Sequence, residues 1–257
     1  MENIFRNGQL LEMLDVFGRV VNQHGIDFFL VGALARDLRL YKNSRLTSKR
    51  MTRDVDIAIF LASEDQFYKI KEALLATGDF VAHERETIKL FYRQAIAVDL
   101  LPFGKIENLD RETRIEKPRP FIMSVPGFME VLPDVGQVNV KGLTIRVCSL
   151  EGIVLLKIIA NADNPSRTKD ITDIEHIINV YFELNDDRIY GEFNDVLELY
   201  DAGDKDYLHL VSARVIGRIM GKLLTDSFVL RQRVLAILQS KSPGRYWPEM
   251  VEGIAEA

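Results

Sequence analysis

The chain has 257 residues, of which 47% are hydrophobic and 28% charged, and its formal net charge is -5. This composition is typical of a globular protein with one large or two small domains, and the negative charge argues against nucleic-acid binding by the whole surface. A local basic patch remains open. The chain shows no signal-peptide pattern and no apolar run of the roughly 18 residues that a membrane-spanning helix needs. Because the single cysteine, Cys148, cannot form an internal disulfide, we expect a soluble cytoplasmic protein without a membrane partner.

The first half of the chain alternates between helical and strand patterns. Apolar spacing predicts an opening helix over residues 8–24, a strand over 27–32 and a second helix that starts at Gly32. A polar connector follows at 41–53, and its basic residues fit either a phosphate-binding segment or a solvated loop. These residues are Lys42, Arg45, Lys49, Arg50 and Arg53. The next predicted elements are a strand at 54–61, a helix at 64–77, strands at 79–83, 87–93 and 95–101, a short helix in PGFMEVL and a hairpin that turns at Lys141-Gly142.

From Ser149 onward the sequence shows only helical patterns, which predicts a domain boundary. We expect a mixed α/β domain over 1–148 and an all-helical domain over 149–257. The predicted helices lie at about 149–163, 167–183, 188–200, 205–224 and 226–240, and the tail over 241–257 is expected to be irregular. The segment GRIMGK is one residue short of a phosphate-binding loop, so its glycines are expected to permit close helix packing.

Three aspartates interrupt strands that are otherwise apolar. Asp54 and Asp56 stand at the start of one strand, and Asp99 stands inside another. Since successive strand side chains point to opposite faces, Asp54 and Asp56 share a face and repel each other unless a positive charge compensates them. Mg²⁺ prefers oxygen ligands, and two such ions can clamp an in-line phosphoryl displacement. The pattern predicts a metal site, against the alternative that the acids are ordinary strand-end residues.

Two further features favour phosphate binding. Gly32 lies where a strand passes into a helix, so backbone N–H groups and the helix dipole would attract an anion there, and no side chain would block its approach. Lys157 is the one charged residue in a stretch of helix that is otherwise apolar on every side. Its ammonium must reach the surface or pair with an anion, for which a nucleotide phosphate is the natural candidate. Asp170 and Asp173 fit either helix-end electrostatics or a role in orienting Lys157 or the substrate.

The order of these motifs resembles the nucleotidyltransferase superfamily, with a small-residue pair at Gly32-Ala33, a DxD motif at Asp54-Val55-Asp56 and a third strand acid at Asp99. The segment 149–178 resembles the AbiEii-type nucleotidyltransferases, the toxins of type IV toxin–antitoxin systems. In that family a helix lysine is followed by an arginine and a KDxxD motif. Here the matching residues are Lys157, Arg167, Lys169, Asp170 and Asp173. The chain departs from the pattern in its Ala33, where serine or glycine is usual, and in its long connector.

The resemblance implies an α+β fold, in which a nucleotidyltransferase-type mixed sheet with helices on one side precedes a helical bundle that closes over the nucleotide. It implies transfer of NMP from an NTP to an RNA acceptor such as tRNA, with release of pyrophosphate, two Mg²⁺ ions and an antitoxin partner. The expected catalytic residues are Asp54, Asp56, Asp99 and Lys157, and the three aspartates are the expected metal ligands. The expected nucleotide-binding residues are Gly32, Ala33, Arg36, Arg50, Thr52, Lys157, Lys169, Asp170 and Asp173. A small-molecule nucleotidyltransferase of the antibiotic-modifying type and a non-catalytic nucleotide-binding module remain open as alternatives.

Overall fold

The computed structural model describes residues 8–40, 54–240 and 245–257. By its internal contacts the chain divides into two compact units, Met1–Ser149 and Leu150–Ala257. The first unit mixes strands and helices, and the described part of the second contains helices alone, so the predicted α+β class is confirmed. Within the described ranges, no helix combines the length and the apolar character needed to cross a membrane.

The first unit is built on strands that follow the predicted order, with one additional hairpin. Its helices are α1 (Gln9–Gln23), α2 (Gly32–Leu40), α3 (Glu64–Ala76) and α4 (Phe128–Val131), and a 3₁₀ turn follows at Leu132–Asp134. Its strands are β1 (Phe28–Val31), β2 (Asp54–Leu61), β3 (Phe80–Ala82), β4 (Lys89–Tyr92), β5 (Ile96–Gly104), β6 (Glu112–Ile115), β7 (Phe121–Ser124), β8 (Gly136–Val140) and β9 (Leu143–Val147).

Seven of these strands form one mixed sheet in the order β3-β4-β5-β2-β1-β9-β8, and β6 and β7 form a separate hairpin. The pairs β2–β5 and β1–β9 are parallel, and the other neighbours in the sheet are antiparallel. One face of the sheet belongs to the core, because alternate β2 residues from Val55 to Leu61 are buried, as are Val98 and Leu100 of β5. The helix α3 contacts β2 and β3.

The opposite face of the sheet is divided between an aromatic half and a charged half. At the carboxyl ends of β2 and β5, the ring centroid of Phe103 lies 5.6 Å from those of Phe29 and Phe60 and 5.7 Å from that of Phe128 in α4. These are ordinary aromatic packing distances, and they show that this half of the face is covered. The amino-terminal ends of the same two strands carry the aspartates.

The second unit differs from the prediction at two places. Its helices are α5 (Leu150–Asp163), α6 (Thr168–Glu192), α7 (Asn194–Leu197), α8 (Tyr207–Leu223), α9 (Phe228–Ser240) and α10 (Trp247–Glu256). The expected break after residue 183 is only a kink at Asn185 (φ -132°, ψ 23°) inside α6. The tail expected to be irregular contains α10, which begins with proline in its first turn, a favourable position for that residue, and buries Trp247 and Met250.

Glycines allow α8 and α10 to pack with their backbones close together, as predicted for GRIMGK. A Cβ atom on Gly217 would lie 2.4 Å from the carbonyl oxygen of Met250, and one on Gly221 would lie 2.9 Å from that of Ile254. From the other side, a Cβ atom on Gly253 would lie 2.3 Å from the carbonyl oxygen of Arg214. Every one of these contacts is with backbone, which cannot rotate away, so only glycine fits.

We expect Gly253→Ala to lower the free energy of unfolding by about 1–3 kcal/mol, the usual cost of overpacking a tight contact. The matched control is Gly191→Ala in α6, where nothing lies within 4 Å of the added Cβ atom. That change should leave stability unchanged or raise it by about 0.4–1 kcal/mol, because alanine restricts the unfolded chain. Urea unfolding of both variants measures the difference, and equal stabilities would show that α8 and α10 can separate at little cost.

Candidate active site

The register of the sheet places the three aspartates on one face. Asp56 lies directly opposite Asp99 in the parallel β2–β5 pair, and Asp54 lies opposite Ala97. Residues in register on neighbouring strands point to the same side, so all three carboxylates project from the face opposite the buried one. Asp54 is exposed, whereas Asp56 and Asp99 are half-buried.

One carboxylate oxygen of Asp99 is buried and has no hydrogen-bond donor among the described residues. No described residue forms a hydrogen bond with its buried Oδ1 atom, and the ammonium of Lys89 lies 3.8 Å away, beyond hydrogen-bond distance. Burial raises the pKa of Asp99; Lys89 opposes that rise, and the nearby carboxylates of Glu86 and Asp54 add to it. A buried carboxylate oxygen without a donor is suited to a cation.

Asp56 is the reason why residue 32 must be a glycine, because its carboxylate occupies the space that a side chain at this position would need. Gly32 has a φ of +67°, a conformation that suits glycine, and a Cβ atom there would lie 2.1 Å from Oδ2 of Asp56. The room left by the missing side chain is therefore taken up by a carboxylate. The start of α2, with Ala33 as its second residue, therefore lies beside Asp56, and phosphate binding at Gly32 stays a prediction.

The carboxylates are ligands of the type that hard cations bind, but among the described residues they do not form a complete set of metal ligands. Carboxylate oxygens are the ligands that Mg²⁺ and Ca²⁺ take, and the buried Oδ1 atom of Asp99 fits such an ion. Over the ranges that the structure describes, no three His, Cys, Asp or Glu side chains already converge as metal ligands.

Lys89 is a site residue that sequence reasoning missed. It lies directly opposite Asp99 in the antiparallel β4–β5 pair, and its Nζ atom is 2.9 Å from Oε2 of Glu86. The hydrogen bond that Lys89 donates to Glu86 is the main cause that raises the pKa of Lys89, and the carboxylates of Asp99 and Asp54 add to the rise. The strand pattern around Lys89 was visible in the sequence, but its position beside Asp99 depends on register.

In the second unit, Lys157 belongs to a compact ion-pair cluster. Its Nζ atom lies 2.8 Å from Oδ1 of Asp170 and 2.7 Å from Oδ2 of Asp173. Arg167 completes the cluster, since its Nε atom donates to Oδ2 of Asp170 at 2.7 Å. The cluster contains two cations and two anions, so its formal charge is zero. In this structure the anions that offset Lys157 are thus aspartates, and its contact with a nucleotide phosphate stays a prediction.

The remaining candidates are placed differently. Arg36 donates from Nε and Nη2 to Oδ1 of the neighbouring Asp37, at 2.9 and 2.7 Å. Lys169 is exposed in the first turn of α6. Arg50 and Thr52 lie outside the described residues, together with the other basic residues of the 41–53 connector.

We expect Lys157→Met to lower the free energy of unfolding by about 3–5 kcal/mol, because it leaves Asp170 and Asp173 without their shared ammonium. The side chains of Lys157 and Asp170 are only 11% and 4% exposed, so water cannot replace the lost charge. The matched control is Lys169→Met, because Lys169 is exposed and directly precedes Asp170 in α6. This variant should change the free energy of unfolding by less than about 0.5 kcal/mol. Thermal and urea unfolding give the values. Equal effects of the two variants would mean that the cluster is not a structural one.

Comparison with known proteins identifies the family. A family model described as "Nucleotidyl transferase AbiEii toxin, Type IV TA system" matches residues 16–237. A search of curated proteins finds no match.

A search of solved structures finds the following similar chains. The solution structure of the antibiotic-resistance factor ANT(2'')-Ia is 12% identical, with 86% of this chain and 98% of that chain covered and a TM-score of 0.45. The lincomycin-bound lincosamide antibiotic adenylyltransferase LnuA is 18% identical, with 65% and 95% covered and a TM-score of 0.38. An antigenic nucleotidyltransferase-like protein from Paracoccidioides brasiliensis is 17% identical, with 89% and 93% covered and a TM-score of 0.40. Because the family match spans most of the sequence, the chain belongs to the AbiEii nucleotidyltransferase toxin family and is a nucleotidyltransferase.

Proposed function

We propose that the protein transfers NMP from an NTP to an acceptor with release of pyrophosphate, and that Asp54, Asp56 and Asp99 hold Mg²⁺ for this reaction. The observation that carries the proposal is the pairing of Asp56 with Asp99 on one sheet face, with Asp54 two residues away. Three carboxylates on one open face repel each other, and a protein that needs no cation gains nothing from that arrangement. Mg²⁺, when bound, would neutralise charge on the triphosphate and on the attacking and leaving oxygens.

The residues themselves suggest how the substrate is held. Asp56 meets the start of α2 at Gly32, so metal ligands and the positive end of a helix dipole lie at one place. A triphosphate bound there would contact backbone N–H groups of the first helical turn, including that of Ala33. Asp99 lies on the neighbouring strand, and the proposal places the acceptor on its side of the site. The acceptor oxygen then forms the new bond to the α-phosphorus as the bond to the β-phosphate breaks.

The assignment of the acceptor and of the biological role rests on the family. A family of type IV toxins supports an RNA acceptor such as tRNA, a cytoplasmic location and an antitoxin partner, and we include all three in the proposal. Nucleotide-binding roles for Arg36, Arg50, Thr52, Lys157, Lys169, Asp170 and Asp173 are part of it on the same ground. Since Lys157 is already paired with two aspartates, contact with a nucleotide would require one of them to yield.

We expect Asp56→Asn to reduce transfer by at least about 100-fold, because it removes a ligand charge while keeping the shape of the side chain. The assay incubates the protein with each labelled NTP, Mg²⁺ and total RNA, and asks which macromolecule becomes labelled. The matched control is Asp65→Asn, an exposed aspartate in the first turn of α3, which should leave transfer unchanged. If Asp56→Asn transfers NMP as well as the wild type does, Asp56 is not needed for the reaction. If a molecule other than RNA becomes labelled, the RNA acceptor is wrong.

We expect Asp99→Asn to weaken Mg²⁺ binding without lowering the stability of the metal-free protein. Without metal, the variant should be as stable as the wild type or more stable, because it no longer buries a charge that lacks a hydrogen bond. Mg²⁺ at about 100 times its Kd should stabilise the wild type by about 2.7 kcal/mol, and the variant by much less. Thermal melts with and without Mg²⁺ measure both effects, with Asp65→Asn again as control. An undiminished Mg²⁺ shift in Asp99→Asn would exclude Asp99 as a ligand.

A further inference from the structure

The charged half of the sheet face continues beyond the aspartates onto β4 and β3. One row across the sheet runs from Asp56 to Asp99 and Lys89, and the backbone N–H of His83 donates to the carbonyl of Lys89 at 3.0 Å. The next row runs from Asp54 through Ala97 and Phe91 to Val81. Residues in register share a side of the sheet, so Lys89, Phe91 and Val81 lie on the same face as the carboxylates.

Among the described residues, this end of the face exposes a mixture of apolar and polar side chains. Val81 is 50% exposed although it lies in a strand, and Phe91 is half-buried. The two residues help to line a surface cavity of about 520 Å³, whose other walls are Ala82, His83, Glu84 and Arg85. An exposed valine and an accessible phenylalanine beside a charged site indicate a surface that contacts something apolar and flat.

The aromatic pair at the centre of the cavity is held in a fixed orientation. The ring centroids of His83 and Phe91 are 5.6 Å apart, with 35° between the planes. Nδ1 of His83 accepts hydrogen bonds from the backbone N–H groups of Arg85 and Glu86, at 3.0 and 2.9 Å. Its Nε2 atom lies 3.4 Å from Oε1 of Glu86. The imidazole is therefore fixed on both sides, and the pair offers a preorganised stacking surface.

We infer that this surface, which we call the platform and define as Val81, His83 and Phe91, stacks a base of the RNA acceptor next to the reacting site. The inference rests on the proposed function and adds to it the place where the acceptor binds. Single-stranded RNA is recognised mainly by stacking of its bases on aromatic rings and by cations near its phosphates. The platform supplies the rings, and Arg85 and Lys89 supply the cations.

The distances suit a nucleotide whose sugar reaches the carboxylates. Phe91 is one strand across and two residues along from Asp99, which from strand geometry corresponds to about 8 Å between backbone positions. Lys89 lies between them, with its ammonium 3.8 Å from Asp99 Oδ1. A base on the platform would thus bring its own ribose toward Asp99, with Lys89 near the adjoining phosphate. Lys89 already pairs with Glu86, so a phosphate would compete with that carboxylate for the ammonium, whereas Arg85 is exposed.

The test uses the full-length protein and a short single-stranded RNA whose 3′-terminal base is 2-aminopurine, which loses fluorescence when it stacks. Phe91→Leu keeps an apolar side chain and removes the ring, so RNA affinity should fall roughly 5- to 100-fold, the range for one stacked base. Phe91→Tyr keeps the ring and should bind as the wild type does. Val81→Glu adds a negative charge at an exposed position without disturbing the core, and it should also weaken RNA binding. The KM for the NTP should stay unchanged in all three variants.

Phe228→Leu, at a phenylalanine that is 70% exposed in the helical unit, is the matched control and should change nothing. If Phe91→Leu and Val81→Glu bind and label RNA as well as Phe228→Leu does, the platform is not the acceptor site, although the proposed function stands. If the wild type neither quenches the probe nor labels RNA while it labels another acceptor, the RNA assignment fails and the platform fails with it. The wild-type result separates the two failures.

Discussion

The parallel pairing of β2 with β5 sets the carboxylates of Asp56 and Asp99 side by side, and the first unit is organised around their repulsion. Positive groups approach them from two sides: the amino end of α2 meets Asp56 at Gly32, and the ammonium of Lys89 stands opposite Asp99. Neither group satisfies the site completely, since Asp99 keeps a buried oxygen without a donor among the described residues. The sheet thus holds negative charge that favours a bound cation, and such a cation can also bind an anionic triphosphate.

Much of the fold follows from local patterns in the sequence. The apolar runs of β2 and β5 and the apolar stripe of α1 predicted these elements nearly at their observed bounds. The β6–β7 hairpin was not predicted, since its short strands mix polar and apolar residues. The helix α10 was also missed, because its burial depends on packing against the glycines of α8, and a local pattern cannot reveal a distant partner.

In the candidate site, too, some residues could be predicted from the sequence and others could not. Asp54, Asp56 and Asp99 could be found because aspartate is rare inside an apolar strand. The partners of charged residues could not be found, because they depend on tertiary structure: Lys89 acquires its place beside Asp99 only through strand register. Lys157 shows the opposite case, in which a lysine that seemed to require an external anion is neutralised by two aspartates of the next helix.

The parallel pairing of β2 with β5 also determines at which stage of folding the aspartates come together. Parallel neighbours cannot be joined by a tight turn, and the chain between these two strands must first form α3, β3 and β4. Contacts between residues so far apart in the sequence form slowly, because closing the intervening loop costs entropy before any pairing is gained. A partly folded or partly synthesised chain therefore has its aspartates on separate segments, and the carboxylates of Asp56 and Asp99 come together only when β2 and β5 have paired.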